Sequence, residues 1–241
     1  MAHSDAAGLA PATPDAHRAP NRHPIPGRSL VARALPAAAL QYLRFARARR
    51  AWRSPGVVFV HIPKNAGVSI SRALYGRPLG HFSAREIQCR DPLLLDRTYS
   101  FAVLRDPLER AISAYRFATA GATEEMAVAN PERYRSPEFA DFDRFVCTWL
   151  VNQDLDDADG IFQSQASYVE VDGRVAVAGL FNLADLTPLL KMLRQRVDPG
   201  LMLEHRNVTA KQAHIAASEE SRAAIAHLYR RDYELIREVS A

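Results

Sequence analysis

The residues best suited to chemistry stand in Pro63-Lys64-Asn65-Ala66-Gly67-Val68-Ser69. A lysine offers a mobile full charge, a glycine lets the backbone approach a ligand, and a serine offers a hydroxyl donor. Together they are fitted to capture a phosphate-like anion. Val57-Val58-Phe59-Val60 precedes them as a run of apolar β-formers, and the residues that follow can open a helix. The order is strand, loop, helix. Amides at a helix N-terminus lack partners and carry the positive end of the dipole, so the backbone of Asn65 to Ser69 is expected to help hold the anion.

A second segment has the same order. Tyr99-Ser100-Phe101-Ala102-Val103-Leu104 reads as a buried strand and runs into Arg105-Asp106-Pro107-Leu108-Glu109-Arg110-Ala111-Ile112-Ser113-Ala114-Tyr115. Pro107 suits the first turn of a helix and Asp106 can cap it. Leu108, Ile112 and Tyr115 then share one stripe.

The spacing separates this loop from the nucleoside triphosphate cradle, which needs an opening glycine and a Gly-Lys pair. Here Lys64 precedes Gly67, and no glycine opens the turn. The order Pro-Lys-x-x-Gly-x-Ser instead resembles the phosphosulfate loop of sulfotransferases that use 3′-phosphoadenosine 5′-phosphosulfate (PAPS), nearest to the carbohydrate and heparan 2-O-type branch and its bacterial relatives. In that family Arg-Asp-Pro, then Arg, then Ser-x-Tyr marks the site for the cofactor's 3′-phosphate. Arg105 and Ser113 match its two phosphate contacts, and a guanidinium fork and a hydroxyl suit a phosphate dianion. The resemblance covers roughly residues 56 to 238. It implies a P-loop-like α/β fold, three layers with a mainly parallel sheet, PAPS as donor with PAP as product, and no metal. Pro63 to Ser69, Arg105 and Ser113 would then bind the cofactor. Lys64 would stabilise the leaving phosphate.

His81, in Leu79-Gly80-His81-Phe82-Ser83, is the expected general base. Relatives in the heparan 2-O-type branch place a catalytic histidine in the corresponding region, and an imidazole accepts a proton at neutral pH. His205 is the fallback, with His214 and His227 behind it. His61, inside the first strand, reads as structural. Asn207 and Thr209 fit a late loop closing over the cofactor, and Gln163 and Gln165 fit hydrogen bonds to substrate. Expected acceptors are a carbohydrate, a glycolipid or a small natural product. Two rival readings remain: a non-enzymatic PAP-binding or interaction protein of the same fold, and a nucleotide-dependent kinase.

At 241 residues the chain accommodates one full α/β domain and a tail. Its 31 Lys+Arg against 27 Asp+Glu give a net charge of +4, which a doubly phosphorylated cofactor explains without nucleic acid. Cys89 and Cys147 have no spacing of a zinc site or disulfide framework. Golgi relatives carry a transmembrane anchor. No comparable apolar run is present, and Met1-Ala2-His3-Ser4-Asp5 lacks the order of a secretory signal, so the expectation is a cytoplasmic, bacterial-type protein.

Residues 1–28, rich in Ala, Pro, His and Arg, read as a disordered tail. Residues 29–55 form a basic, partly helical extension interrupted at Pro36. It is expected to pack on the domain edge, with membrane-surface contact through 29–53 as the alternative. The α/β domain spans 56–241. Within it the pattern predicts a helix ending at Gly76, a capping box at Ser83-Ala84-Arg85-Glu86, an insertion over 120–137 and an amphipathic helix carrying Phe139, Phe142, Val146, Trp149 and Leu150. It further predicts strands at Ser167–Val171 and Val175–Leu180 joined through Asp172-Gly173, a helix from Leu183 to Arg196, and terminal helices from Ser218.

Overall fold

The computed structural model describes residues 36–121, 131–203 and 215–240. The expected tail and residues 122–130 of the expected insertion lie outside them.

Strands β1 (Val57–Val60), β2 (Tyr99–Leu104) and β5 (Gly179–Asn182) form a parallel sheet in the order β1-β2-β5. Val57 pairs with Tyr99, and Phe101 with Gly179. The first strand reads as an unbroken apolar run and the second as nearly one, because both faces of the sheet are covered. Val58, Val60, Ala102 and Leu104 pack on one side with Phe45, Trp52, Ile87, Val169 and Leu235. Val57, Phe59, Phe101 and Val103 pack on the other with Ile70, Leu189 and Leu193.

Helix α1 (Ala37–Arg53) sends Phe45, Ala48 and Trp52 into the first of these cores, at the spacing of one helical stripe. Arg49 Nε donates to Asp91 at 2.6 Å and ties the helix to the domain. The expected edge packing is therefore what this helix shows. Among the described residues no helix is long and apolar enough to cross a membrane.

Helix α2 (Gly67–Tyr75) ends at Gly76 in the left-handed region, as its sequence predicts. It also closes the outer edge of β1. The Tyr75 hydroxyl accepts from the Phe59 N–H and donates to the Val57 carbonyl, both at 3.0 Å. Helix α3 (Ala84–Arg90) carries both halves of the capping box formed by Ser83 and Glu86. A short turn α4 (Leu94–Arg97) leads into β2, and α5 (Pro107–Ala120) follows, capped by Asp106 Oδ1 on the Glu109 N–H at 2.9 Å.

The aromatic stripe is core, but it is not one helix. It runs through a 3-10 turn (Pro137–Phe139), an α turn (Phe142–Arg144), a π turn (Phe145–Trp149) and a further 3-10 turn (Leu150–Asn152). Its rings pack against Tyr115, Tyr134, Phe162 and Tyr229 on several sides. The widened turn lets Phe145 and Trp149 stack with centroids 5.6 Å apart.

The strand predictions after this point need correction. Ala166–Val169 is a helical turn, α6, and only Glu170–Val171 (β3) and Arg174–Val175 (β4) form the hairpin about Asp172-Gly173. The reason is distant. The Asp232 carboxylate accepts from the N–H groups of Gln165 at 2.8 Å and Ala166 at 2.9 Å, fixing a helical start there. β5 is a separate strand of the main sheet. Helix α7 (Thr187–Arg196) begins later than Leu183, since Asn182 to Asp185 turn out of β5 first, with Asp185 N–H bonding the Asn182 carbonyl. Helices α8 (Glu219–Leu228, capped by Ser218) and α9 (Arg230–Ser240) complete the chain as described.

Candidate functional site

The loop after β1 turns sharply. Lys64 (φ 72°) and Ala66 (φ 56°) both lie in the left-handed region, which costs a residue with a Cβ about 1 kcal/mol or more. Side-chain donors from elsewhere hold it there. Arg110 Nε donates to the Pro63 carbonyl at 3.1 Å and Arg105 Nη1 to the Lys64 carbonyl at 3.2 Å. Asn65 Nδ2 donates to the Val103 carbonyl and to Gln165 Oε1, each at 2.7 Å. Gly67 then opens α2 directly against the His61 ring, where a Cβ would collide. This is why a glycine stands at that position.

Adjacent parallel strands place Arg105, at the end of β2, beside this loop. Its guanidinium also meets Glu109 at 3.6 Å, one turn along α5. Lys64 Nζ lies 4.0 Å from the centre of the Phe117 ring and forms no ion pair with a described carboxylate. Burial, then the charges of Arg105 and Arg110, bring its pKa down to about 8. Lys64, close to two guanidiniums and without a described carboxylate of its own, creates a local demand for an anion. The Ser69 and Ser113 side chains are half-buried on the helices that the two loops open, and neither hydroxyl bonds a described residue.

His81 lies at the same place. Its ring sits 4.2 Å from that of His61, and its Nδ1 is 2.9 Å from the His61 carbonyl oxygen. A carbonyl can only accept, so Nδ1 carries the proton and Nε2 keeps its lone pair. Burial among surrounding atoms is the largest influence on His81 and lowers its pKa. The bond to His61 and the charge of Asp159 oppose this, while Lys64 and Arg110 reinforce it. His81 still keeps an edge open to solvent. The contact with the His61 carbonyl thus fixes which tautomer the neutral ring adopts. His61 is buried between Phe59 and His81, and burial holds it well below the usual imidazole range, consistent with a packing role.

The structure brings Lys64, His81, Arg105 and the loop Pro63–Ser69 together. Gln165 departs from expectation. It is fully buried; besides Asn65, its Oε1 accepts from the Arg105 N–H at 2.9 Å and its Nε2 donates to the Arg105 carbonyl at 2.8 Å. No polar atom of its amide is left for substrate. Gln163 Nε2 is bound to the carbonyls of Asp156 and Ala158, at 3.0 and 3.2 Å, but the residue lines the cleft described below. His227 is exposed on α8 and no contact joins it to this site. His205, Asn207, Thr209 and His214 lie outside the described residues.

Three positioning residues were given no role by sequence, although Arg110 and Asp232 stand in its motifs. Arg110 is buried and gives all its nitrogens to carbonyls, those of Pro63, Gln163 (2.7 Å) and Gly160 (3.4 Å). The available signal was its place as the arginine that follows Arg105-Asp106-Pro107. Phe117, under Lys64, lies seven residues on along the same helix. Asp232 is buried, and its signal in the sequence was the pattern Tyr229-x-x-Asp232-Tyr233 of the last helix.

Beyond His81 a polar cleft of about 540 Å³ opens between Ser83–Glu86, Asp156, Gln163 and Ser167–Gly173. Comparisons with protein-family models, curated proteins and solved structures return no match to this chain.

Proposed function

We propose that the protein is a PAPS-dependent sulfotransferase acting on an acceptor hydroxyl, built on a three-layer P-loop-like fold and working in the cytoplasm. The observation that carries this reading is the union of two motifs distant in sequence into one cationic cluster, with Arg105 bonded to the carbonyl of Lys64 at 3.2 Å. Ligands of open parallel sheets bind outside the carboxyl ends of the strands, and both motifs stand at such ends. Lys64 with its lowered pKa, the amides opening α2, Arg105 and Ser113 offer the cations and donors that a doubly phosphorylated anion requires.

PAPS would supply the sulfuryl group. The chain's own residues then have two tasks. His81 Nε2 takes the proton from the attacking hydroxyl as its oxygen bonds to sulfur, and the electron pair of the breaking S–O bond passes to the phosphate oxygen. Lys64 and the loop amides stabilise the charge gathering on that oxygen. Arg105 and Ser113 read the 3′-phosphate.

Titration calorimetry with PAP, AMP and ADP, without added metal, tests this. Tight binding of PAP with clear loss for AMP is expected. No preference for PAP would remove the reading and favour an interaction protein of this fold or a nucleotide-dependent kinase.

A further inference from the structure

Charge is distributed unequally on the two sides of His81. On the loop side stand Lys64, Arg105 and Arg110. The cleft side is acidic: Glu86, Asp156, Glu170 and Asp172 line it, against Arg85. Ion pairing offsets this only in part. Arg85 meets Asp172 at 2.8 Å, and Glu86 lies 3.7 Å from Arg90. Arg231 meets Glu170 at 2.8 Å but is shared with Glu234 at 3.0 Å and Glu238 at 3.1 Å, so one guanidinium faces three carboxylates. Asp156 forms no ion pair with a described residue, and Asp159 adds a further negative field at His81.

An anionic donor is drawn to one side of His81 and repelled from the other, so the cleft is left for the second substrate. A uronate-bearing or already sulfated glycan would bring like charge against these carboxylates. An ammonium group would find Asp156 unpaired and Glu170 incompletely neutralised.

We infer that this cleft receives the acceptor, and that the acceptor is a hydroxyl compound bearing an amine, such as an amino sugar, rather than an acidic glycan. The inference rests on the sulfuryl-transfer reading of the site.

The test is calorimetry on the full chain, first with PAP and then, at saturating PAP, with three probes: a glucosamine trimer, its N-acetylated counterpart and a glucuronate-bearing tetramer. The glucosamine trimer should bind about three- to tenfold more tightly than the neutral one, as expected for one or two solvent-facing ion pairs. That preference should shrink in Asp156→Asn and at about 0.5 M salt. Glucuronate binding equal to or tighter than glucosamine overturns the inference. So does a preference that persists in both Asp156→Asn and Glu170→Gln, or no binding of any probe. Failure to bind PAP in the first titration identifies loss of the sulfotransferase reading instead, and the probe comparison without PAP still reports the cleft's charge selectivity.

Discussion

Asn65 and Gln165, 100 positions apart in the chain, meet through a 2.7 Å hydrogen bond from Nδ2 to Oε1. The same Oε1 accepts from the Arg105 N–H. One buried amide therefore locks the loop after β1 to the loop after β2. Gln165→Leu should leave the Arg105 N–H and carbonyl and one Asn65 donor position without this partner, at about 1–3 kcal/mol for each group left unsatisfied. Urea unfolding should show that loss, and PAP affinity should fall with it. Unchanged stability and binding would mean the two loops hold their positions without Gln165.

Gly67 and His61 occupy one another's limits. Gly67→Ala places a methyl into the imidazole ring and should destabilise the fold by about 1–3 kcal/mol, with weakened PAP binding. In the His61→Ala background the same change should cost far less. His81 bonds the backbone carbonyl of residue 61, so that contact remains available in the double variant. Equal cost in both backgrounds would locate the strain elsewhere.

The pH dependence of kcat/KM should be bell-shaped. On the sulfotransferase reading His81 must be unprotonated to act as base, and its pKa is lowered, so activity rises with pH through a limb below the ordinary imidazole value of 6.5. Lys64 must be protonated to meet the phosphate, so activity falls as pH rises through about 8. PAP binding near pH 8 should then take up protons, seen as heats that vary with buffer ionisation enthalpy. Absence of proton uptake would show that Lys64 is fully charged before binding.

Lys64→Ala and His81→Ala should separate chemistry from binding. His81→Ala should cut kcat by about 100-fold or more with PAP affinity nearly unchanged. Lys64→Ala should reduce turnover far more than it weakens PAP. Equal losses in turnover and binding would assign Lys64 to cofactor capture alone.

Arg105→Ala should erase the distinction between PAP and AMP, a loss of about 10- to 100-fold for PAP with little change for AMP. Calorimetry with both ligands measures it directly. Retained discrimination would place the 3′-phosphate elsewhere. The guanidinium also holds the Lys64 carbonyl, so Arg105→Lys is the control that keeps the charge but loses the fork.

Much of the fold was determined by local sequence. Val57–Val60 and Tyr99–Leu104 are apolar on every residue or nearly so, which only a strand covered on both faces accommodates. The capping box at Ser83–Glu86, the Asp106-Pro107 helix start, the left-handed Gly76 and the Asp172-Gly173 turn are each decided within four or five residues. Their hydrogen bonds are short-range, so the sequence alone predicts them. The placement of Lys64 and Arg105 in the loops after two strands was legible for the same reason: type and spacing are local properties.

Only the tertiary structure decided what depends on distant partners. Ala166–Val169 became helical because Asp232, from the last helix, bonds the two amides at its start. Gln165 became a clasp instead of a substrate contact because its amide is surrounded by Asn65 and the Arg105 backbone. Arg110 holds three carbonyls from two other segments. The tautomer of His81 follows from the His61 carbonyl, and the lowered pKa of Lys64 from burial beside two guanidiniums. Burial, field and long-range hydrogen bonding exist only once the chain has closed on itself, which is why those roles could not be read along it.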